Sequence, residues 1–301
     1  MNEIEFGWIT NYIARGDVRI ESMIASNEHM LDTIQGTFST LWFDDHFMKD
    51  GAPLLESWTT LAYLAGKYPA FKLGTAVLSQ SYRNPALLAK MMSSLQFLTG
   101  GRYIAGIGAG WKEDEYLAYG YEFPPLKTRF DQLEEVLLIL RAMWHNSPAT
   151  FKGKYHQIEE ADCEPLPSPP PPLLIGGGGE KRTLRLVAQY ADWMNLPFAT
   201  PDVFRHKLQV LRRHCDDVGR NMDDIKKTAW LYLYITPDGA EPAPISGDRF
   251  VMYGTPARIG EQLQEYVDLG VEHFMLRFVD FPELHGAESF VSHVAPHLRK
   301  G

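Results

Sequence analysis

The sequence predicts an α/β fold, a (β/α)8 barrel of the TIM type with an insertion before its fifth strand. Three observations lead there. Apolar strand-like segments and amphipathic helices alternate along nearly all of the 301 residues, which implies a parallel sheet, and eight such units close into a barrel. The run LLIGGGGEKRTLRLVAQYADWMNL at 173–196 compresses strand, glycine turn, helix and strand into one short βαβ unit. That glycine turn lies past the middle of the chain, where a barrel carries its phosphate loops, whereas a dinucleotide fingerprint belongs in a first βα turn.

The elements follow in order. Ile4–Ile9 reads as the first strand, residues 20–35 as a helix, and Phe38–Phe43 as a second strand that runs into Asp44, Asp45, His46 and Phe47. A helix over Glu56–Ala65 precedes the third strand, Phe71–Ser79. Pro85 suits a helix start because its fixed φ is already helical, and Ala86–Leu98 continue that helix to the break at Gly100 and Gly101. Tyr103–Ile107 is the fourth strand, followed by Gly108, Ala109 and Gly110, and Leu126–Trp144 is a long amphipathic helix. Leu173–Ile175 has no alternation, as a strand buried on both faces should not. After it come a strand at 191–196, a helix at 201–218 and a strand at Thr228–Ile235. A helix at Pro256–Leu269, a strand at Val271–Phe278 and a closing helix over Glu288–Leu298 complete the series.

Two stretches break the rhythm. Residues 145–172 hold a candidate hairpin, Ala149–Ile158, and the proline-rich Glu164–Pro172, best read as a rigid extended lead into the glycine strand. Residues 236–255 are polar and turn-rich. Loops of this length are often lids or binding loops, and both lie near the expected phosphate site. No internal boundary is visible, so residues 1–301 are expected to form a single domain.

A net charge of −9 without a basic stripe argues against nucleic-acid binding. Two cysteines, Cys163 and Cys215, support neither a disulfide framework nor a cysteine metal site, and the ten histidines show no paired ligand spacing. The start MNEIEFGWIT lacks the layout of a secretory signal and no apolar run reaches membrane-span length. A cytoplasmic protein with a small-molecule substrate, no metal and no membrane partner is expected, and a homodimer is a candidate assembly.

In a barrel the chemistry sits at the C-terminal ends of the strands. His46, at the end of the second strand, is a candidate proton acceptor or donor, with Asp45 or Asp44 to hold its tautomer. Gly176, Gly177, Gly178 and Gly179 before a helix start offer backbone N–H groups and a positive helix end to a phosphate, with Lys181, Arg182 and Arg185 as cations nearby. Gly74, Thr75, Ala76 and Val77 are small residues that suit either a planar ligand against the backbone or a packed barrel interior. Gly108 and Gly110 form a second candidate turn, and Tyr82, Trp111 and Trp193 are candidate walls of a flat pocket.

These pieces together resemble the luciferase-like monooxygenase (bacterial luciferase) superfamily of flavin- or deazaflavin-binding barrels. The matching segments are LWFDDHF at 41–47, LGTAVLSQSYRNPALLAK at 73–90, LTGGRYIAGIGAGWKEDEYLAYG at 98–120, TRFDQLEEVLLIL at 128–140, the stretch 171–195 and YGTPARIGEQLQEYVDLG at 253–270. The version at 176–192 is most similar to the branch that uses coenzyme F420. The resemblance implies that His46 lies near the reactive face of the cofactor ring, with a non-proline cis peptide at Ala76–Val77. It also implies that Thr75, Gly108, Gly110 and Asn195 lie along the cofactor, and that Gly176–Gly179 hold its phosphate. It implies an F420-dependent oxidoreductase exchanging a hydride with a small organic substrate. The alternatives are an FMN-dependent monooxygenase using reduced flavin and oxygen, or a non-catalytic cofactor-binding barrel. Sugar-phosphate dehydrogenases of the F420 branch carry a glutamate directly after the fourth-strand glycines. Trp111 occupies that position here, which argues against that activity.

Overall fold

In a computed structural model, residues 4–14, 18–243 and 249–299 are described. Residues 244–248 of the polar loop at 236–255, and the first three residues of the chain, lie outside them. The strands are β1 (Glu5–Ile9), β2 (Thr40–Phe43), β3 (Lys72–Thr75), β4 (Leu78–Ser79), β5 (Tyr103–Gly108), β6 (Ala149–Lys152), β7 (Gln157–Ala161), β8 (Leu173–Gly176), β9 (Trp193–Pro197), β10 (Lys226–Ile235), β11 (Val251–Gly254) and β12 (Val271–Phe278). The helices are α1 (Ile20–Ile34), α2 (Ser57–Lys67), α3 (Pro85–Leu98), α4 (Glu113–Ala118), α5 (Leu126–His145), α6 (Thr183–Tyr190), α7 (Pro201–Val218), α8 (Pro256–Asp268) and α9 (His285–Ser289).

Parallel pairings run β1–β2–β3–β5–β8–β9–β10–β12 and back to β1, so eight strands close the expected barrel. The third strand is interrupted by the Ala76–Val77 peptide, which is cis, and resumes as β4 alongside β5. The expected excursion before the fifth barrel strand is the antiparallel hairpin β6–β7. It docks on α5, where the Glu135 carboxylate accepts the N–H groups of Lys154, Tyr155 and His156. The proline-rich lead lies along α3, tied by Ser93 Oγ to the Pro165 carbonyl and by Gln96 Nε2 to that of Pro169.

Two elements were not expected, and one expectation needed revision. Helix α4 falls in a charged stretch too short to show a period, and β11 is four residues long within a polar segment, where it extends the end of β10. The closing helix is α-helical only over His285–Ser289. It continues as a π turn at Phe290–Val294 and a 3₁₀ turn at Ala295–His297, because Pro296 has no N–H to give to an α-helical ladder.

Helices pack their apolar faces on the outside of the barrel, and a separate apolar layer of Ile9, Trp42, Ala76, Ile104, Leu174 and Met275 fills its lumen. The indole of Trp42 lies where a Cβ at Gly74 would stand, 2.2 Å from the ring. The small residue at 74 therefore serves the packed interior rather than a ligand. This layer is the floor on which the site rests.

Candidate active site

A cavity of about 350 Å³ opens above that floor, at the C-terminal ends of the strands. Leaving β2, the chain places Asp44, Asp45 and His46 at its edge, and the end of β5 with the turn after it brings Gly108, Ala109, Gly110 and Trp111 to the same cavity. Val77 packs between Gly108 and Gly176. Its methyl groups fill the space that a Cβ at Gly108 or at Gly176 would need, each 2.8 Å away.

His46 is fixed by a residue that the sequence did not single out. Its Nδ1 lies 3.1 and 3.0 Å from the two carboxylate oxygens of Glu115 on α4. The same carboxylate accepts the N–H groups of Phe47 and Met48 at 3.2 and 3.1 Å and the hydroxyl of Tyr82 at 3.3 Å. Glu115 is fully buried. Burial alone would raise its pKa, but the hydrogen bonds from His46 and the Met48 N–H outweigh that and hold it below the usual carboxylate range. A carboxylate accepts only, so Nδ1 carries a proton and Nε2 is the nitrogen left for a ligand. Trp111 meets the imidazole edge-on, with centroids 5.8 Å apart, and is otherwise exposed.

Asp45 and Asp44 were expected to hold the imidazole, and neither does. Both oxygens of Asp45 bind Arg83, at 2.9 and 3.1 Å, and one accepts the Ser79 N–H at 2.9 Å. Arg83 also reaches Glu56 at 2.8 Å. This network ties the start of the second βα loop to β4, one residue before His46. Asp44 faces Arg277 at 3.5 Å. The buried site would raise the pKa of Asp44, but Arg277, His46 and Lys49 together lower it.

The remaining expected residues divide. Ala76, Val77, Gly108, Gly110, Gly176, Gly177 and Asn195 line the cavity. Thr75 does not, because its hydroxyl is turned to Gly106, donating to the carbonyl at 2.8 Å and accepting the N–H at 3.0 Å. Asn195 is anchored by Nδ2 to the Thr228 hydroxyl at 2.9 Å. Of the four glycines, Gly177 adopts a φ of +117° and gives its N–H to the Asn195 carbonyl at 3.0 Å, so that donor is engaged. Gly178 and Gly179 do not line the cavity, yet neither donates to a backbone carbonyl among the described residues. Helix α6 begins just beyond with no side chain capping it, and Thr183 of its first turn does line the cavity. Uncapped N–H groups at a helix start suit an anion. The cations expected there are placed otherwise. Arg182 pairs with Asp131 at 2.6 Å, Lys181 and Arg185 are exposed, and none of the three lines the cavity.

Tyr82 and Trp111 do wall the cavity, whereas Trp193 lies at the other end of the barrel, packed on His273 and Trp42. Trp230, Tyr232, Arg249, Arg277 and Lys49 complete the wall. Of the two long loops, 236–255 contributes Arg249 to the wall and 145–172 contributes nothing. Among the described residues no three His, Cys, Asp or Glu side chains are grouped to hold a metal ion, and no helix is long and apolar enough to cross a membrane.

The model of the family described as luciferase-like monooxygenase matches residues 30–243. A curated relative, the F420-dependent glucose-6-phosphate dehydrogenase of Intrasporangium calvum, is 25% identical over 315 residues, covering 90% of this chain and 94% of the relative. Among solved structures, an F420-dependent secondary alcohol dehydrogenase in complex with an F420–acetone adduct superposes with a TM-score of 0.84. It is 18% identical over 99% of both chains. The EDTA monooxygenase of Chelativorans sp. BNC1 superposes at 0.79, with 14% identity over 98% of this chain and 93% of that one. Dehydrogenases and monooxygenases therefore share this fold, and the fold alone does not choose between them.

Proposed function

Because the chain belongs to the luciferase-like monooxygenase family, we propose that it is an F420-dependent oxidoreductase acting on a small organic substrate. The observation that carries this reading is the His46–Glu115 pair at the cavity wall, a proton-handling group of fixed tautomer beside a floor fit for a flat ring. The relatives named as F420-dependent enzymes favour the deazaflavin over FMN.

The residues present fit the cofactor. Val77, packed between Gly108 and Gly176, gives a flat apolar support for its ring. The N–H groups of Gly178 and Gly179, the uncapped start of α6 and Thr183 would hold its phosphate. When bound, F420 supplies hydride exchange. The chain handles the accompanying proton. His46 Nε2 takes it from a substrate hydroxyl as that carbon is oxidised, or returns it to a carbonyl oxygen in the reverse direction. Glu115 holds Nδ1, which leaves Nε2 as the nitrogen that exchanges the proton. Trp111 stands where sugar-phosphate dehydrogenases of this branch carry a glutamate, and Glu115, on α4, brings a carboxylate to the site from four residues further on.

The same proposal includes a single domain spanning residues 1–301, a cytoplasmic location, no nucleic-acid partner and a homodimer. Two free, buried cysteines and the net charge of −9 support the second and third. Exposed Leu87, Phe97 and Leu98 on α3 support the last, and sedimentation checks it. Titration with F420 and, separately, with FMN tests the cofactor. F420 should bind and FMN should bind at least about tenfold more weakly; tight FMN binding with no detectable F420 binding would reverse the assignment.

A further inference from the structure

The wall of the cavity holds several aromatic rings, and most of its neutral polar groups are already engaged. The Ser79 hydroxyl meets that of Tyr116 at 2.5 Å, and the Tyr82 hydroxyl donates to Glu115 at 3.3 Å. The Tyr232 hydroxyl accepts Arg249 Nη1 at 3.0 Å, and the Asn195 amide nitrogen is bound to Thr228. A polyhydroxylated molecule would therefore leave hydroxyls desolvated without partners, which weakens binding. The rings are placed differently. Phe198 and Tyr232 stack with centroids 5.3 Å apart and planes at 18°, and Trp230 lies 5.1 Å from Phe198. Phe198 has a φ of +56°, a strained value for a bulky residue, and is held there by its N–H donating to the Trp230 carbonyl at 2.9 Å. The Arg249 guanidinium lies over the same two rings, 5.3 and 5.8 Å from their centroids. Trp111 adds a further face. Its indole is 68% exposed although it lines the cavity, and it meets the His46 imidazole edge-on. A flat group laid on Trp111 would lie next to that imidazole.

We propose that the substrate carries an aromatic ring, seated against Trp111 and the Phe198–Trp230 pair, with its reacting carbon beside His46. The inference deepens the oxidoreductase reading and rests on it for the reacting carbon, but not for the seat of the ring. Offset and edge-to-face contacts between rings add to what the burial of apolar area contributes. The site should therefore prefer a phenyl group to a saturated ring of similar size.

Calorimetric titration of the protein without cofactor tests the ring site separately from the redox function. Acetophenone is compared with cyclohexyl methyl ketone, acetone and glucose 6-phosphate. Acetophenone should bind at least about tenfold more tightly than acetone or glucose 6-phosphate, and about threefold more tightly than the saturated ketone. Trp111→Ala and Phe198→Ala should each lower acetophenone affinity about fivefold or more, and Trp111→Phe should restore most of it. F420 affinity, read by fluorescence, should stay within about threefold in these variants and in saturating acetophenone. Should Phe198→Ala fail to fold, Trp111→Ala, at an exposed position, carries the test. Equal or tighter binding of any of the other three compounds would overturn the proposal, as would acetophenone affinity unchanged in Trp111→Ala. Displacement of F420 by acetophenone would put the probe in the cofactor's own space and overturn it too. Failure of the parent protein to bind F420, with the ring preference present and lost in Trp111→Ala, would refute the cofactor assignment and leave the ring site standing.

Discussion

A neutral imidazole has one donor and one acceptor nitrogen, and a carboxylate beside it decides which is which. Glu115 makes that decision for His46, and two backbone N–H groups hold the carboxylate in turn. Glu115→Gln keeps the volume but lets the amide present either a donor or an acceptor to Nδ1, so the tautomer is no longer enforced. Turnover should fall roughly tenfold to a hundredfold, with F420 affinity nearly unchanged. His46→Ala should lower it further, by at least about a hundredfold, again with little effect on binding. A parallel loss of affinity in steady-state and binding assays would mean that the pair builds the pocket instead. At the phosphate end, Gly177→Ala separates strain from charge, because φ of +117° disfavours any side chain. Gly177→Asp should weaken F420 binding at least about tenfold more than Gly177→Ala does, a difference of about 1.4 kcal/mol. Equal affinity of the two variants would place the phosphate elsewhere.

Among the elements, the short helix α4 has most influence on the site, and Gly110 fixes where it starts. With φ of +75°, Gly110 leaves room for the Tyr116 and Ser79 hydroxyls, which meet at 2.5 Å; a Cβ there would stand 1.8 Å from the Tyr116 oxygen. Gly110→Ala should therefore cost about 2–4 kcal/mol in chemical denaturation. Displacing Tyr116 should also displace Glu115 beside it and lower turnover. Stability within about 0.5 kcal/mol of the parent would show that the turn has more room than this packing allows. The same helix marks the limit of what is legible in the sequence. His46 was legible because a titratable residue at the end of a buried strand is conspicuous. Glu115 was not, because WKEDEYLAYG is a charged, nearly aperiodic segment whose acidic residues look alike until the fold buries one of them. Asp45 was conspicuous for the same reason as His46 but belongs to Arg83, a partner 38 residues away that no local pattern links to it. Arg277 was hidden inside a strand whose apolar neighbours dominate the pattern.

At the scale of the whole molecule, the barrel was legible because eight apolar strand segments alternate with amphipathic helices along the chain, while the loops that shape the cavity carry no such pattern. The lumen adds a dependence on pH. His273 is fully buried, accepts the Trp42 N–H at 2.9 Å with Nε2, and faces Glu5 at 3.3 Å with Nδ1. Burial depresses its pKa from 6.5 to about 4, with Glu5 opposing part of the shift. The unfolded chain thus binds more protons between these values, so stability is full above pH 6.5 and is lost as pH falls toward 4. Between pH 7 and pH 5 this one group accounts for about 2 kcal/mol. Urea denaturation at the two pH values should show a loss of at least that size, and His273→Gln should lessen it; an unchanged loss in the variant would assign the acid sensitivity to other groups.

The most direct measurement is a crystal structure of the protein with F420. The phosphate should lie at Gly178, Gly179 and the start of α6, and the ring against Ala76 and Val77. His46 Nε2 should face the open space between the ring and Arg277. A ring bound elsewhere in the barrel, or one with His46 turned away and Glu115 no longer on Nδ1, would contradict the account.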